Sequence, residues 1–191
     1  MSLAIPDGMN LSAQLRNVLK DELLTEVASG TIELLEDQPE RDRPMTYTIS
    51  GLPESATVIN MRATQHLKGL ADGGDWKRIC DYLLVARLDD DERHYAVLLE
   101  MKTTIGIARK YREQLRRSMP ILDYLRRVCA VEYGQKLSVV RKYVLVGEQF
   151  QNRFDKQPTR AGPMRGLVEE YEGIAIRMFA GTGAPFRALV E

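Results

Sequence analysis

The stretch CDYLLVARLDDDERHYAVLLEMKTT, Cys80 to Thr104, sets Asp81 at the mouth of one aliphatic run and Glu100 with Lys102 at the close of the next. Two carboxylates brought together there could share a hard divalent cation such as Mg²⁺, whose usual shell is carboxylate oxygens, a main-chain carbonyl and waters. A lysine beside them could orient or deprotonate a water, or stabilise charge developing on a phosphate. The residues meet only in one register. With Asp89 to Glu92 as the turn, Leu88 faces Arg93, partners sum to a constant along the hairpin, and Asp81 falls opposite Glu100. Strand side chains alternate, so Lys102 shares a face with Glu100, Leu98, Ala96, Leu83 and Val85, while Met101, Leu99 and Val97 form the other. Directly opposite Cβ atoms stand about 5 Å apart, and two acids that close repel unless a cation is shared. A slip of one residue would turn Asp81 to the opposite face.

The elements that must position these residues read as follows. From Asn10 or Ser12, apolar residues at Leu11, Leu15, Val18, Leu19, Leu23 and Val27 predict a first helix stopped by Gly30. Glu22 and Glu26 fall inside its apolar stripe, two acids on a face that should be buried. Ile32 to Leu35 is a short apolar piece, MTYTIS a strand ended by Gly51, and ATVINMR a candidate strand. ATQHLKGL reads as a helical turn and ADGGD as a loop. WKRICDYLLVARL and RHYAVLLEM form an antiparallel hairpin around DDDE. Ile105 to about Val128 is a helix interrupted near Pro120, and RKYVLVGE a buried strand. PTRAGPMRG is a loop before a short helical piece at Leu167 and Val168, GIAIRMF is a last strand, and a tail runs from Gly181. The order predicts an α/β chain with a mixed sheet and helices packed on both of its faces.

Asp81 followed nineteen positions later by Glu100, Met101 and Lys102, with an acid-bearing helix before and a helix then a strand after, resembles the PD-(D/E)xK phosphodiesterase superfamily. The likeness covers the order of elements from about Leu11 to Glu148. It implies a restriction-endonuclease-like αβββαβ core in three layers and a Mg²⁺ (or Mn²⁺) ion held by Asp81, Glu100 and the Met101 carbonyl. It further implies that Lys102 assists the attacking water and that an acid of the first helix, Glu26 or Glu22, adds a contact. Gln114 resembles the glutamine that some subfamilies carry on the following helix, but Ser118 stands where their tyrosine would be. Cys80 stands in place of the name proline. A second triplet of the same form, Asp75 to Lys77, opens a run after a Gly-rich loop and has no acid-bearing partner strand, so context selects Glu100 to Lys102.

The 191 residues carry 27 basic and 27 acidic side chains, so whole-chain charge favours neither nucleic acid nor membrane. Local clustering does more: between Ile105 and Ala130, Arg109, Lys110, Arg112, Arg116, Arg117, Arg126 and Arg127 face only Glu113 and Asp123. This basic ridge reads either as a phosphate-contacting surface or as a solvated helix face. His66 and His94 are isolated and read as surface or loop residues. Cys80 and Cys129 lack metal-ligand spacing, and no charged-then-apolar leader or apolar run approaching ~18 residues is present, so a cytoplasmic chain without membrane contact is expected. The expected organisation is one domain over 1–191, with the strand and tail at 149–191 following the core. The expected function is a Mg²⁺-dependent nuclease that hydrolyses DNA or RNA by in-line attack of a metal-activated water. The other reading is an inactive nuclease-fold module that binds nucleic acid or protein, with a second copy or a partner protein supplying specificity.

Overall fold

A computed structural model describes residues 11–36, 43–62, 78–91, 93–105, 109–134, 138–150 and 167–191. Two long strands, β6 (His94–Ile105), mostly buried, and β7 (Val139–Phe150), buried at its centre, run parallel through the middle of a seven-stranded mixed sheet. On one side β6 pairs antiparallel with β5 (Tyr82–Arg87), β5 with β4 (Thr57–Asn60), and β4 with the short β1 (Leu24–Thr25). On the other, β7 is parallel to β9 (Ile174–Ala180), which pairs antiparallel with β8 (Leu167–Tyr171). The β6 to β7 crossover is α2 (Arg109–Arg117) followed by α3 (Met119–Tyr133), as a parallel pair requires. The protein is thus a mixed α/β fold.

Each face of the sheet carries its own core. Leu83, Val85, Ala96 and Leu98 pack with Leu11 and Leu15 of α1 (Leu11–Val18) and with Leu115, Leu122 and Leu125 of α2 and α3. Leu84, Val97, Leu99 and Met101 pack on a second sheet of three strands, in which β3 (Met45–Ser50) lies between β2 (Ile32–Glu36) and β10 (Gly183–Pro185). Helices were expected on both faces. Instead the second face is covered by this small sheet and by the short α4 (Phe186–Val190). The reason is periodicity: Ile32 and Leu34 alternate with exposed neighbours, as do Met45, Tyr47 and Ile49, a period of two that buries a strand pair by one face.

Three other expectations are corrected. The first helix ends at Val18, a 3₁₀ turn follows at Asp21–Leu23, and Leu24 and Thr25 pair with Ile59 and Val58. Leu11, Leu15 and Leu24 belong to the helix-side core, whereas Val27 packs on the opposite one, so the chain rounds the sheet edge where one straight helix could not. Leu167 and Val168 open a strand, not a helical piece. Tyr171 pairs with Ile174 across Glu172 and Gly173, whose φ values of 48° and 77° make the two-residue hairpin turn that favours glycine. The tail is structured too, since β10 runs parallel to β3 and α4 buries Phe186, Leu189 and Val190.

The helix interruption near Pro120 stands as expected. It falls at Ser118, and Pro120 occupies the first turn of α3, where its missing N–H is harmless. The hairpin register also stands: Arg87 pairs with His94 and Tyr82 with Leu99, the same constant sum that sets Asp81 against Glu100. His94 is buried at the start of β6, not a surface or loop residue. Among the described residues no helix is long and apolar enough to cross a membrane. The helical turn ATQHLKGL with His66, the loops ADGGD and PTRAGPMRG, the triplet Asp75 to Lys77, Glu92 and the Arg109 side chain lie outside the described residues.

Candidate metal centre

Register, alternation and the sheet edge bring Asp81, Glu100 and Lys102 to one corner, where β5 begins and the buried part of β6 ends. Asp81 is 2% exposed and Glu100 0%, while the Lys102 side chain keeps 30%. Asp81 Oδ2 accepts the Met101 N–H at 2.7 Å, which clamps the carboxylate across the hairpin. Lys102 Nζ forms an ion pair with Glu100 Oε1 and donates to the Met101 carbonyl at 2.9 Å. Glu100 Oε2 has no hydrogen-bond partner among the described residues.

The sequence reading missed two members of this cluster, Glu36 and Arg62. Glu36 is 2% exposed and closes the inward face of β2 in series with Ile32 and Leu34. The alternation of that strand was the signal: an acid at the third inward position needs a partner. Tyr82 delivers it, since its hydroxyl donates to the Leu35 carbonyl at 2.8 Å and accepts the Leu35 N–H at 3.1 Å, tying β2 of the small sheet to β5 of the large one. Arg62, just past β4, donates from Nε to Asp81 Oδ1 at 2.5 Å and from Nη2 to Glu36 Oε1 at 3.2 Å. Lys102 Nζ lies 3.8 Å from the same Glu36 oxygen. Three buried carboxylates therefore share two cations.

The shared charge sets the proton affinities. Burial, and then the Asp81 charge, push the Glu100 carboxyl up to about 8, against the pull of Lys102. For Lys102, burial works against the charged form but the Glu100, Asp81 and Glu36 carboxylates outweigh it, so its pKa is raised. Arg62 follows the same pattern, with Asp81 the largest opposing cause. Cys80 is driven well above the usual thiol range by burial, which makes it an inert core residue.

The approach to Asp81 is fixed from α2. Ser118 Oγ accepts the Cys80 N–H at 2.8 Å and donates to the Gln114 carbonyl at 2.8 Å, and the Gln114 amide donates to the Ile79 carbonyl at 3.3 Å. The helix break thus grips the two residues before Asp81. A proline at position 80 would have no N–H for Ser118, a physical reason for Cys80 there. The Gln114 amide is engaged by the main chain at Ile79. On the other side Gly147 pairs with Lys102, and a Cβ there would stand 2.4 Å from the Lys102 carbonyl. Only glycine lets β7 come this close.

The structure does not bring Glu22 or Glu26 to the cluster. Both are exposed, Glu22 lies 3.6 Å from Lys20, and Glu26 follows β1 beside the opening lined by Arg16, Glu54 and Thr57. The third acid near Asp81 and Glu100 is Glu36, on a strand of the other sheet. The basic ridge is largely neutralised: Arg112 pairs with Glu169, Arg116 with Glu172, Arg117 with Glu113, and Arg126 with Asp123. Two of those acids come from the β8–β9 hairpin. The cleft between this hairpin and α2–α3, about 490 Å³, contains none of the cluster residues. In the DDDE turn, Asp90 pairs with Arg187 and Asp91 with Arg93, so these acids serve the turn.

The residues can be tested against the ion that the sequence pattern implies. Oxygen donors from Asp81, Glu100 and Glu36, with one buried carboxylate oxygen lacking a hydrogen bond, are the donor set of a hard divalent cation. As they stand, no three carboxylate, imidazole or thiolate side chains among the described residues converge on one point. Arg62 lies between two of the acids. The donor chemistry fits, and the arrangement requires Arg62 to give way. A scan against protein-family models matched no family, and neither the curated proteins nor the solved structures gave a match.

Proposed function

We propose that the protein is a Mg²⁺-dependent phosphodiesterase of the restriction-endonuclease-like kind, acting on nucleic acid, with DNA the first substrate to test. The observation that carries this reading is the convergence of Asp81, Glu100 and Lys102 at one buried corner in the register their spacing predicts. Supporting it, β4, β5 and β6 are antiparallel neighbours, α2 and α3 follow, and β7 returns parallel to β6, the order expected of an αβββαβ core. Asp81, Glu100 and the Met101 carbonyl are the groups that would hold the ion. When bound, the ion supplies Lewis-acid activation of a water and neutralises charge on the phosphate. Lys102, whose side chain keeps 30% exposure, would lend a positive charge to a phosphate oxygen or to the attacking water. Ser118 and Gln114 anchor the main chain just before Asp81 and Gly147 lets β7 pack against Lys102, which would help hold the site as such chemistry needs.

A second reading has its own observation. Both Asp81 oxygens are already engaged, one by Met101 N–H and one by Arg62, as in a finished ion-pair network. That favours a non-catalytic module of the same fold. Calorimetric titration with Mn²⁺ and Mg²⁺, on wild type and Asp81→Ala, decides when paired with cleavage assays on single- and double-stranded DNA and RNA. The enzyme reading expects metal binding and cleavage that Asp81→Ala abolishes. A folded wild-type protein that binds neither ion and cleaves nothing would falsify it.

A further inference from the structure

Arg62 holds the place in the cluster that the metal reading needs. Its guanidinium bridges Asp81 Oδ1 at 2.5 Å and Glu36 Oε1 at 3.2 Å, joining an acid beside β5 of the large sheet to the acid that ends β2 of the small one. Asp81 Oδ2 is committed to the Met101 N–H, so Oδ1 is the oxygen that can turn toward a ligand, and Oδ1 is the atom Arg62 occupies. The Arg62 backbone is fixed: its N–H donates to Asn60 Oδ1 at 3.1 Å, and the Met61 N–H donates to the Asp81 carbonyl at 2.9 Å. The side chain is not enclosed, however, being 35% exposed while the Glu36 and Asp81 side chains keep 2% and 3%. Turning the Arg62 side chain toward solvent would uncover Asp81 Oδ1 and Glu36 Oε1. The group that rotates outward is a planar fork that matches a phosphate better than a single ammonium can.

We propose that Arg62 is a displaceable internal counter-cation: it stands between Glu36 and Asp81 where a divalent ion binds and, once displaced, contacts a phosphate of the nucleic-acid substrate. Glu36 is then the third acid of the metal centre. This rests on the metal-dependent reading above and adds to it an exchange of one cation for another. The exchange has a signature that a purely structural arginine lacks. Removing Arg62 frees an acid pair that a divalent ion can take, and it also removes a phosphate contact. Metal affinity and substrate affinity should move in opposite directions.

The test measures Mn²⁺ binding by calorimetry and binding of a short fluorescein-labelled phosphorothioate DNA by anisotropy, for wild type, Arg62→Ala, Arg62→Lys and Arg62→Ala/Asp81→Ala. Arg62→Ala should bind Mn²⁺ about tenfold or more tightly than wild type, bind the DNA in Mn²⁺ about tenfold more weakly, and lose the metal when Asp81 is also replaced. If Arg62→Ala does not fold, Arg62→Lys decides, since a lysine cannot bridge both acids with a planar fork and should still tighten Mn²⁺ by a few fold. Wild type that binds Mn²⁺ no more weakly than the Arg62 variants overturns the proposal and leaves the metal reading standing. Absence of Mn²⁺ binding in every variant overturns both. Binding seen in Arg62→Ala but not in wild type, and abolished by Asp81→Ala, supports the exchange in its strongest form.

Discussion

Glu100→Gln should make the metal-free protein more stable in alkali and leave it almost unchanged in acid. Glu100 is 0% exposed and its carboxyl is raised from 4.5 to about 8, first by burial and then by Asp81. A group whose folded pKa lies above its unfolded value binds more protons in the native state between the two. Stability then falls as pH rises through that window and is level above it. At about 1.4 kcal/mol per factor of ten, the rise from 4.5 to about 8 amounts to about 5 kcal/mol lost between acid and mild alkali. That is a large part of the 5 to 15 kcal/mol that typically holds a domain together. Glutamine keeps the shape of the protonated carboxyl and cannot ionise. Urea denaturation in EDTA, from about pH 5 to about pH 9, should show wild type declining and Glu100→Gln level in this respect, the two curves meeting near the acid end. Parallel curves, or a variant less stable than wild type at the alkaline end, would refute the account of the buried carboxyl.

Gly147→Ala places a Cβ 2.4 Å from the Lys102 carbonyl and 2.7 Å from Ile105 Cγ1, both on a buried strand, so it should cost about 3 kcal/mol in denaturant unfolding. Ser118→Ala removes the acceptor of the buried Cys80 N–H and should cost about 1 to 3 kcal/mol, measured the same way, with Ser118→Thr recovering part of it. Tyr82→Phe breaks both bonds to the Leu35 main chain and should cost about 1 to 2 kcal/mol. Because Glu36 is the next residue, Tyr82→Phe should also speed amide hydrogen exchange at Leu35, and unchanged exchange there would separate β2 from the site.

The parts of this molecule that could be read from sequence are those whose determinants are local. The β5–β6 hairpin has a polar turn of fixed length and two long apolar arms, so one count of residues fixes every pair from Arg87–His94 to Tyr82–Leu99. The break between α2 and α3 announces itself through Pro120. What failed depends on where distant segments meet. Leu19, Leu23 and Val27 keep a helical spacing, yet pairing of Leu24 and Thr25 with β4 takes the chain out of the helix and carries Val27 to the other core. The acids Glu22 and Glu26 left the site with it. Glu36 entered through contact between the two sheets and Arg62 through its place just past β4, at sequence separations of 45 and 19 from Asp81, which no local period encodes. The turn at Glu172 and Gly173 is a two-residue hairpin, and the glycine at its second position is its local signal.

The charge count of the cluster gives the two readings of its function a common origin. With Arg62 in place and Glu100 holding a proton, Glu36 and Asp81 are balanced by Arg62 and Lys102, and the charges of these five side chains sum to zero. With a divalent ion bound, Arg62 turned out and Glu100 ionised, three carboxylates are balanced by Lys102 and the ion, and the sum is zero again. Burial penalises a net charge more than it penalises a balanced set, so both arrangements are favoured over an unbalanced one. On the metal-dependent reading, the completed ion-pair network and the metal-bound cluster would be the same residues in two charge-balanced arrangements. Selection between them rests on the affinity of the acids for the ion relative to Arg62 and one proton. Raising pH through about 8 removes the proton without supplying a replacement cation, so metal affinity should climb over that window and level off above it. Titrating Mn²⁺ at pH values on either side of 8, in two buffers of different ionisation enthalpy, would count the protons released. Release near one per ion below that pH, falling toward none above it, is the expected result; no release at any pH would show that Glu100 is not among the groups the ion displaces a proton from.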